Sequence, residues 1–257
     1  MKALVLAAGY ATRLRPLTDD TAKALLELAG RPMLDYVCDR IDEAADVDEL
    51  HVISNARFAA DLERWAKARA GRLRPLVHDD GTRCNEERLG AIGDIRLVIE
   101  RAGLEGEDLL VVAGDNLFDF SLGAQVEFWR SRREIHEGAA VSCVAVQRCP
   151  SSQILSFYGV AVLSENGRVL DFVEKPSRPP SDLIATAAYV FAGEHIALVA
   201  DYLAAGNSHD QPGNFLAWLY SREPVYGFAF DGFWLDIGDR EQLRAADEIM
   251  RKRLDLV

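Results

Sequence analysis

LVLAAGYATRLRPLT, residues 4–18, is a short apolar run that ends in a turn of small residues followed by cations. The apolar part predicts a buried strand over residues 2–7. Ala7, Ala8 and Gly9 carry almost no side chain, so a ligand can approach the main chain closely. Backbone N–H groups that are freed where a strand ends can bind an anion. The stretch therefore predicts an anion site at the carboxyl end of the first strand.

Positive charge is concentrated beside this turn although the whole chain is acidic. The formal net charge is −12 at pH 7, whereas residues 1–31 contain five basic and three acidic side chains. Arg13 and Lys23 are close enough in sequence to reach an anion on the turn, which makes a phosphate the first hypothesis. A solvated cationic edge is the alternative interpretation. The overall acidity argues against a general nucleic-acid binder, which needs a basic surface.

Strand and helix patterns alternate through the first half of the chain. Strands are predicted over residues 2–7, 49–54, 73–78 and 108–114, and helices from near Pro32, over 57–69 and over 90–102. This order predicts an α/β fold whose parallel sheet is covered by helices on both faces. Ligands of such sheets bind beyond the carboxyl ends of the strands, where both Gly9 and the GDN sequence at 114–116 are expected.

The second half contains more strands and hairpin-like links. Strands are predicted over residues 139–147, 158–164, 168–176, 183–193 and 224–232, and helices near 194–205, 212–221 and 239–252. The ENG sequence at 165–167 is typical of a tight hairpin turn. We expect one domain over residues 1–257 with a continuous mixed sheet, in which the second half supplies a wall facing the first-half site.

The cysteines and the apolar runs bear on the cellular compartment. The four cysteines show neither a C-x-x-C pair nor zinc-ligand spacing, so nothing requires an oxidising compartment. No apolar run approaches the roughly 20 residues of a membrane span, and the chain begins directly with a predicted core strand. We expect a cytoplasmic protein without a membrane partner. The oligomeric state stays open, with a homo-oligomer among the options.

Two aspartates are candidate metal ligands. Asp115 follows the apolar strand LLVVA, so its carboxylate is expected at the strand end, where it can hold Mg²⁺. A turn aspartate that closes the strand is the alternative. Asp236 has apolar neighbours in WLDIGD, where a carboxylate is costly unless it is paired or metal-bound. Asp239 is better explained as the N-cap of the last helix, with Gln242 completing a capping-box pattern.

Three further positions are candidates for ligand contacts. In VEKP at 173–176, Lys175 can meet a second phosphate and Glu174 can accept hydrogen bonds from hydroxyl groups. Gly159 either permits a close ligand approach or is an ordinary strand glycine. The polar loop over residues 78–94 leads into a helix start at which Gly90 would let a flat base lie against the backbone. The residue of this loop that contacts the base is left open among Asp80, Thr82, Asn85 and Arg88.

Taken in order, these motifs resemble those of the sugar-1-phosphate nucleotidylyltransferases, the nucleotide-sugar pyrophosphorylases of the glucose-1-phosphate thymidylyl-/uridylyltransferase type. That family carries L-A-A-G-x-G-T-R-L-x-P-x-T…P-K, G-D-N, E-K-P and W-x-D-x-G in this order. The matching segments are LAAGYATRLRPLT at 6–18 with Lys23, GDN at 114–116, EKP at 174–176 and WLDIG at 234–238. Ala11 replaces the second glycine of the signature and Ala22 replaces the proline before Lys23. The 78–94 loop also differs from the glutamine-containing base loop common in thymidylyltransferases, so the base stays open among UTP, dTTP and CTP.

The resemblance implies a Rossmann-like, GT-A-type fold with a mixed, mostly parallel sheet. It also implies that a nucleoside triphosphate and a sugar 1-phosphate yield a nucleotide sugar and pyrophosphate, with Mg²⁺ as cofactor. Residues 1–120 would form the nucleotide-binding half and residues 121–257 the sugar-phosphate-binding half. Nucleotide contacts are expected at Leu6, Ala7, Ala8, Gly9, Thr12, Arg13, Lys23 and Gly90. Sugar-phosphate contacts are expected at Gly159, Glu174 and Lys175, metal ligands at Asp115 and Asp236, and catalytic roles at Arg13, Lys23, Asp115 and Lys175.

Two other classes of function are alternatives to a nucleotidylyltransferase. A GT-A-type glycosyltransferase usually depends on an Asp-x-Asp metal motif, for which GDN at 114–116 is a poor match. A regulatory module could hold a nucleotide sugar without turnover, but it has no need for the cations on the pyrophosphate side, Arg13 and Lys23. An active nucleotidylyltransferase is therefore the leading hypothesis.

Overall fold

The computed structural model describes residues 1–149, 151 and 153–256. Its helices are α1 (Met33–Asp42), α2 (Ala59–Ala68), α3 (Gly90–Ala102), α4 (Leu122–Ile135), α5 (Gly193–Ala204), α6 (Pro212–Leu219) and α7 (Arg240–Arg253). Its strands are β1 (Lys2–Leu6), β2 (Glu27–Leu28), β3 (Arg31–Pro32), β4 (Glu49–Ser54), β5 (Leu76–Asp79), β6 (Leu109–Ala113), β7 (Asn116–Phe118), β8 (Ser142–Arg148), β9 (Gly159–Leu163), β10 (Val169–Glu174), β11 (Leu183–Phe191), β12 (Val225–Ala229) and β13 (Trp234–Asp236). In this part of the chain no helix is long and apolar enough to cross a membrane.

A mixed sheet of nine strands forms the centre of the molecule. Its main path runs β10-β9-β11-β6-β1-β4-β5, and β8 pairs with β11 and β12. The four strands β6, β1, β4 and β5 are mutually parallel, as the alternating pattern of the first half predicts. β11 runs antiparallel to β6 and so continues the same sheet into the second half. The expected α/β architecture with a mixed sheet is confirmed.

Helices cover both faces of this sheet. α1, α2 and α4 pack with Ala3 and Val5 of β1 on one face. α3, α5 and α6 pack with Leu4 of the same strand on the other face. Leu109–Val112 in β6 are fully buried, because a parallel strand covered by helices on both sides has no solvent-facing side.

The register of the parallel strands defines the edge at which ligands are expected. Leu6, the last residue of β1, lies opposite Ile53 of β4 and Ala113 of β6. The Gly114 N–H then donates to the Leu6 carbonyl at 2.9 Å. The turn after β1 and the turn before Asp115 are therefore neighbours at the carboxyl edge of the sheet.

The second half contains the expected hairpin. β9 and β10 pair antiparallel, and the Gly167 N–H closes the connecting turn by donating to the Ser164 carbonyl at 2.9 Å. Gly167 has a φ of +85°, a left-handed conformation that glycine adopts without strain. The ENG prediction is confirmed.

Several elements differ from the sequence-based assignment. α4 is an addition to the predicted elements: Leu122, Val126 and Trp129 are buried at helical spacing, and the Ser121 hydroxyl caps the helix by accepting from Ala124 N–H at 3.1 Å. The third parallel strand spans Leu76–Asp79 instead of 73–78, because the Leu73 N–H donates to the Asp42 carboxylate at 3.0 Å and not to a strand. β7 and β13 form a small separate sheet. Each strand has only three residues, which is too short for a strand pattern to be recognised in the sequence.

Candidate active site

The turn after β1 presents a row of unpaired backbone donors. In the part of the chain that the structure describes, no backbone N–H of residues 8–13 donates to another group. The Ala7 N–H, by contrast, is used in the sheet, where it donates to the Ile53 carbonyl at 3.0 Å. Asn55 Nδ2 holds the turn in place by donating to the Ala8 carbonyl at 2.9 Å. This arrangement suits an anion, as expected, with the available N–H groups beginning at Ala8.

Asp115 and Asp236 are far apart in the chain and are brought together by the small β7–β13 sheet. Asp236 lies opposite Asn116, and the Ile237 N–H donates to the Asp115 carbonyl at 3.2 Å. Both carboxylates line one cavity. The two candidate metal ligands thus meet beside the turn after β1.

The electrostatics of this pair disfavour the ionised form of Asp236. Burial and the neighbouring Asp115 carboxylate raise the pKa of Asp236 to about 6, while Lys23, Arg13 and Lys175 act in the opposite direction. Burial and the adjacent carboxylate together therefore outweigh the effect of these three cations. A divalent cation between the two carboxylates would remove the repulsion, since oxygen ligands and local negative charge are what such ions require.

Lys23 and Arg13 lie next to the two carboxylates. Lys23 Nζ donates to Asp115 Oδ2 at 2.5 Å, and the lysine side chain is only 15% exposed. Arg13 packs over Gly238, where a Cβ atom would come within 2.9 Å of Arg13 Nη2. The glycine of WLDIG therefore leaves room for the guanidinium group.

A cavity of about 260 Å³ extends from the turn to the start of α3. Of the residues predicted to contact the nucleotide, it is lined by Leu6, Ala8, Gly9 and Gly90, and it reaches Asp115. Ala7 and Thr12 belong to the same turn but do not line the cavity. The second half contributes Ala187, Asp210 and Pro212, so residues from both halves form its wall.

Gly90 is required by the backbone at this point. Its φ is +76°, and a Cβ atom there would overlap the His209 carbonyl oxygen. The loop that carries His209 closes on the start of α3, where Ile92 N–H and Ala91 N–H donate to the His209 and Asp210 carbonyls, both at 3.0 Å. Because Gly90 has no side chain, the loop that carries His209 can approach the start of α3. The same absence leaves the cavity open beside Gly90.

A second cavity of about 170 Å³ lies on the other side of Asp115. The predicted sugar-phosphate residues Gly159, Glu174 and Lys175 all line it, together with Asp236. Lys175 has a φ of +48°, a strained conformation for lysine that directs the chain away from β10, and its N–H donates to the Tyr158 carbonyl at 3.1 Å.

Glycines position Glu174 in this second cavity. A Cβ at Gly159 would come within 2.8 Å of Glu174 Oε2 and 2.5 Å of Phe172 Cζ, and one at Gly213 would overlap Glu174 Oε2. Both glycines therefore make room for the glutamate side chain. Burial raises the pKa of Glu174, although Lys175 opposes the shift.

Several cavity residues were missed by the sequence analysis. Tyr158 and Trp234 line the second cavity and pack edge to face, with their ring centroids 5.2 Å apart. Burial raises the pKa of Tyr158 to about 12. Asp94 lines the first cavity from α3. It had a detectable signal, because it lies beside Ile95 on the helix stripe that continues to Val98, where a carboxylate is out of place. The second-half Asp210 gave no such signal, since it lies in an irregular polar loop.

Asp94 makes the stability of the protein depend on pH. Burial, with a smaller effect of the Asp80 carboxylate, raises the pKa of Asp94 from 3.8 to about 7. The folded protein therefore holds a proton that the unfolded chain loses, so this stabilisation is complete below about pH 4 and is lost as pH rises to 7. The shift corresponds to at most about 4 kcal/mol in the free energy of unfolding.

We expect Asp94→Asn to remove this pH dependence. Relative to the wild type, the variant should therefore become more stable as the pH is raised from 5 to 8, because the amide has no proton to lose. Urea denaturation at a series of pH values measures the difference. Parallel stability curves for the two proteins over this range would contradict the buried, protonated carboxyl.

The arrangement fits a divalent metal ion held partly by substrate. Within the described residues no group of three or more His, Cys, Asp or Glu side chains is placed to hold a metal. Asp115 and Asp236 would supply two oxygen ligands, and phosphate oxygens and water would supply the rest, as is usual for Mg²⁺.

Comparisons with known proteins identify the family of this chain. The family model described as nucleotidyl transferase matches residues 2–253. The UTP–glucose-1-phosphate uridylyltransferase of Synechocystis sp. is 28% identical over 93% of this chain and 60% of its own length. The mannose-1-phosphate guanyltransferase beta-A of Xenopus laevis is 30% identical over 93% of this chain and 61% of its own length. The chain thus spans about 60% of the length of these relatives.

A solved structure shows the same fold. UDP-glucose pyrophosphorylase in complex with UDP-glucose superimposes with a TM-score of 0.80 at 20% identity, over 98% of both chains. The Rossmann-like nucleotidyltransferase fold is therefore confirmed, and so is the resemblance that the ordered motifs indicate. Since the family model covers nearly the whole sequence, this chain belongs to the nucleotidyl transferase family.

Proposed function

We propose that this chain transfers a nucleotidyl group from a nucleoside triphosphate to a sugar 1-phosphate. A phosphate oxygen of the sugar phosphate forms a bond to the α-phosphorus, and the bond from that phosphorus to the bridging oxygen of pyrophosphate breaks. The products are a nucleotide sugar and pyrophosphate. Because nucleoside triphosphates are the donors, we propose that the reaction takes place in the cytoplasm.

The observation that carries this proposal is that the two cavities share Asp115. Asp115, Ala113, Ala187 and Pro212 line both of them. One cavity begins at the turn with unpaired N–H groups, and the other contains Lys175. A donor phosphate in the first and an acceptor phosphate in the second would meet at Asp115, which is what an in-line transfer requires.

On the donor side, the residues bind and orient phosphate. The N–H groups from Ala8 onward would donate to phosphate oxygens, and Arg13 and Lys23 would neutralise charge on the pyrophosphate that leaves. Lys23 already lies at Asp115, so it can exchange that partner for a phosphate oxygen without a large movement. No side chain has to exchange a proton, since the attacking oxygen is already anionic at neutral pH.

On the acceptor side, the residues distinguish the phosphate from the sugar. Lys175 would bind the phosphate, and the buried Glu174 would accept hydrogen bonds from sugar hydroxyls. Tyr158 and Trp234 give the cavity an aromatic wall that excludes water. The sugar itself stays open.

Asp115 and Asp236 would hold Mg²⁺ as the cofactor. When bound, the ion would neutralise the negative charge that builds up between the two phosphates. Its support from this chain is that both carboxylates line one cavity, and that burial and Asp115 raise the pKa of Asp236 to about 6 against the opposing effect of Lys23, Arg13 and Lys175.

A grid of substrates tests the proposed reaction. The purified protein is mixed with each of five nucleoside triphosphates (GTP, UTP, dTTP, CTP and ATP) and with several sugar 1-phosphates, with and without Mg²⁺, and pyrophosphate is measured. We expect release in at least one pair, and only when both substrates and the metal are present. Release that does not depend on the sugar phosphate would indicate a nucleotide hydrolase instead.

Lys175→Ala is expected to weaken the use of the sugar phosphate selectively. Loss of the cation should lower kcat/KM for the sugar phosphate by about thirtyfold or more and change KM for the nucleotide much less. Steady-state kinetics with each substrate varied in turn measure the split. Lys67→Ala, on α2 away from both cavities, is the control. Equal losses on the two substrates would place Lys175 outside the acceptor site.

A further inference from the structure

Two buried carboxyl groups line the nucleotide cavity and have no part in the phosphate chemistry. Asp80 follows β5, Asp94 lies in α3, and each is only 7% exposed. Both line the cavity that contains Gly90 and the turn after β1. A carboxyl group is purely an acceptor when it is ionised, and because the pKa of Asp94 is about 7, that group ionises at little cost from neutral pH upward. With both groups ionised, the surface they form favours ligand donors.

Asp80 is held in a fixed orientation. Its Oδ1 accepts from Thr82 N–H at 2.6 Å, and the Thr82 hydroxyl lies 2.8 and 2.9 Å from its two oxygens. The Thr82 hydroxyl donates to the carboxylate, so the Tyr10 hydroxyl, 2.9 Å away, must donate to Thr82. This chain of hydrogen bonds leaves acceptor capacity on Asp80 Oδ2 and prevents the side chain from rotating.

Asp94 is not satisfied by the protein. Its Oδ1 is buried and has no hydrogen-bond partner among the described residues. An unpaired buried carboxyl oxygen is costly. Rotation of the Asp94 carboxyl group about χ2 would turn this oxygen toward the cavity, where a donor on a bound ligand would remove that cost. Since Asp94 and Asp80 line the same cavity, one flat ligand can contact both residues.

We propose that Asp80 and Asp94 read the nucleotide base and select guanine; this inference rests on the proposed function. Guanine carries an N1–H next to a 2-amino group, and together they present three hydrogens on one edge. Two carboxyl groups that accept from that edge would both be satisfied.

The other bases fit this pair less well. Uracil and thymine carry one ring N–H between two carbonyl groups, whose lone pairs would face the carboxylate oxygens. Cytosine and adenine carry one amino group beside a ring nitrogen that is itself an acceptor. Each of them leaves an acceptor on the ligand opposite an acceptor on the protein, which costs more than a missing contact.

Two experiments test this assignment. In the first, kcat/KM is measured for GTP, UTP, dTTP, CTP and ATP with the wild type, Asp94→Asn, Asp80→Asn and the control Asp79→Asn. Asp79 is next to Asp80 but exposed, and its Oδ1 accepts from Gly81 N–H outside the cavity. In the second, binding of GDP and of UDP to the wild type is measured by calorimetry.

We expect the wild type to prefer GTP over each other triphosphate by at least about tenfold. Asp94→Asn and Asp80→Asn should each reduce that preference by about tenfold, whereas Asp79→Asn keeps it. A wild type that prefers UTP, dTTP, CTP or ATP overturns the inference, and so does a GTP preference that survives both cavity substitutions. Should either variant fail to fold, the wild-type panel and the nucleotide binding still decide.

The second experiment separates this inference from the proposed function. If no pair of substrates releases pyrophosphate, the proposed reaction fails, yet GDP binding about tenfold tighter than UDP would still support guanine recognition. If pyrophosphate is released and UDP binds as tightly as GDP, the reaction stands and the assignment of the base is wrong.

Discussion

Replacing Asp115 by asparagine is expected to lower kcat for pyrophosphate release by about a hundredfold to a thousandfold. The amide keeps the shape of the side chain but loses its negative charge and one of its two acceptor oxygens. Among the four residues that line both cavities Asp115 is the charged one, so its charge acts where the phosphates meet. Pyrophosphate release at saturating substrates and a range of Mg²⁺ concentrations measures the effect.

The chain offers a matched control for this substitution. Asp239 lies in the same C-terminal segment as Asp236, but its carboxylate caps α7 by accepting from Gln242 N–H at 2.9 Å. Asparagine is an equally good N-cap, so Asp239→Asn should leave both stability and turnover near the wild type. Asp236→Asn should instead resemble Asp115→Asn. Wild-type turnover and metal dependence in Asp115→Asn would show that the pair does not hold the ion.

A second measurement follows the same variant without any turnover. The Asp115 carboxylate is the main charged group that raises the pKa of Asp236. Removing that charge should lower the pKa of Asp236, which NMR titration of the protein without metal can detect. An unchanged value would mean that burial alone accounts for the shift.

How far the site could be predicted depended on where each residue lies. Asp115 was predictable because it ends an apolar strand, and Asp236 because apolar residues surround it. The register that brings them together was not, since β7 and β13 contain three residues each and pair across more than a hundred positions of sequence. The only sequence signal for Asp94 is its position on the apolar stripe of α3. A charged residue beside such a stripe is also common in amphipathic helices at a protein surface, so the signal alone does not identify a site.

The departures from the family signature also have a structural explanation. Ala11, which replaces a glycine, has a φ of +46°, so it keeps the left-handed turn at a cost of about 1 kcal/mol. Ala22, which replaces a proline, has a φ of −57°, close to the value that proline imposes. Both backbone conformations are therefore ones that glycine and proline adopt readily. The sequence shows only that Ala11 and Ala22 replace a glycine and a proline. The backbone angles show that each alanine adopts a conformation compatible with the residue it replaces.

Lys23→Ala is expected to lower kcat/KM for the nucleotide by about a hundredfold or more. Lys23 Nζ bonds Asp115 Oδ2 at 2.5 Å, so the substitution removes a cation from the triphosphate site and leaves the two carboxylates less compensated. Two effects follow from that single loss. Phosphate binding weakens, and the pKa of Asp236 rises further, because Lys23 is one of the cations that lower it. Kinetics with the nucleotide varied measure the first effect, and NMR titration measures the second.

Lys2, at the amino end of β1, provides the control for Lys23. It pairs with Asp48 at 3.3 Å and is 21% exposed, a burial close to that of Lys23, but it lies at the amino end of β1, away from both cavities. Lys2→Ala removes the same kind of side chain and the same kind of ion pair, so it should leave kcat/KM near the wild type. If the two variants lost activity equally, the effect of Lys23 would come from a general loss of stability on removal of an ion pair. If only Lys23→Ala lost activity and the pKa of Asp236 were unchanged in that variant, Lys23 would bind phosphate without affecting the ionisation of Asp236.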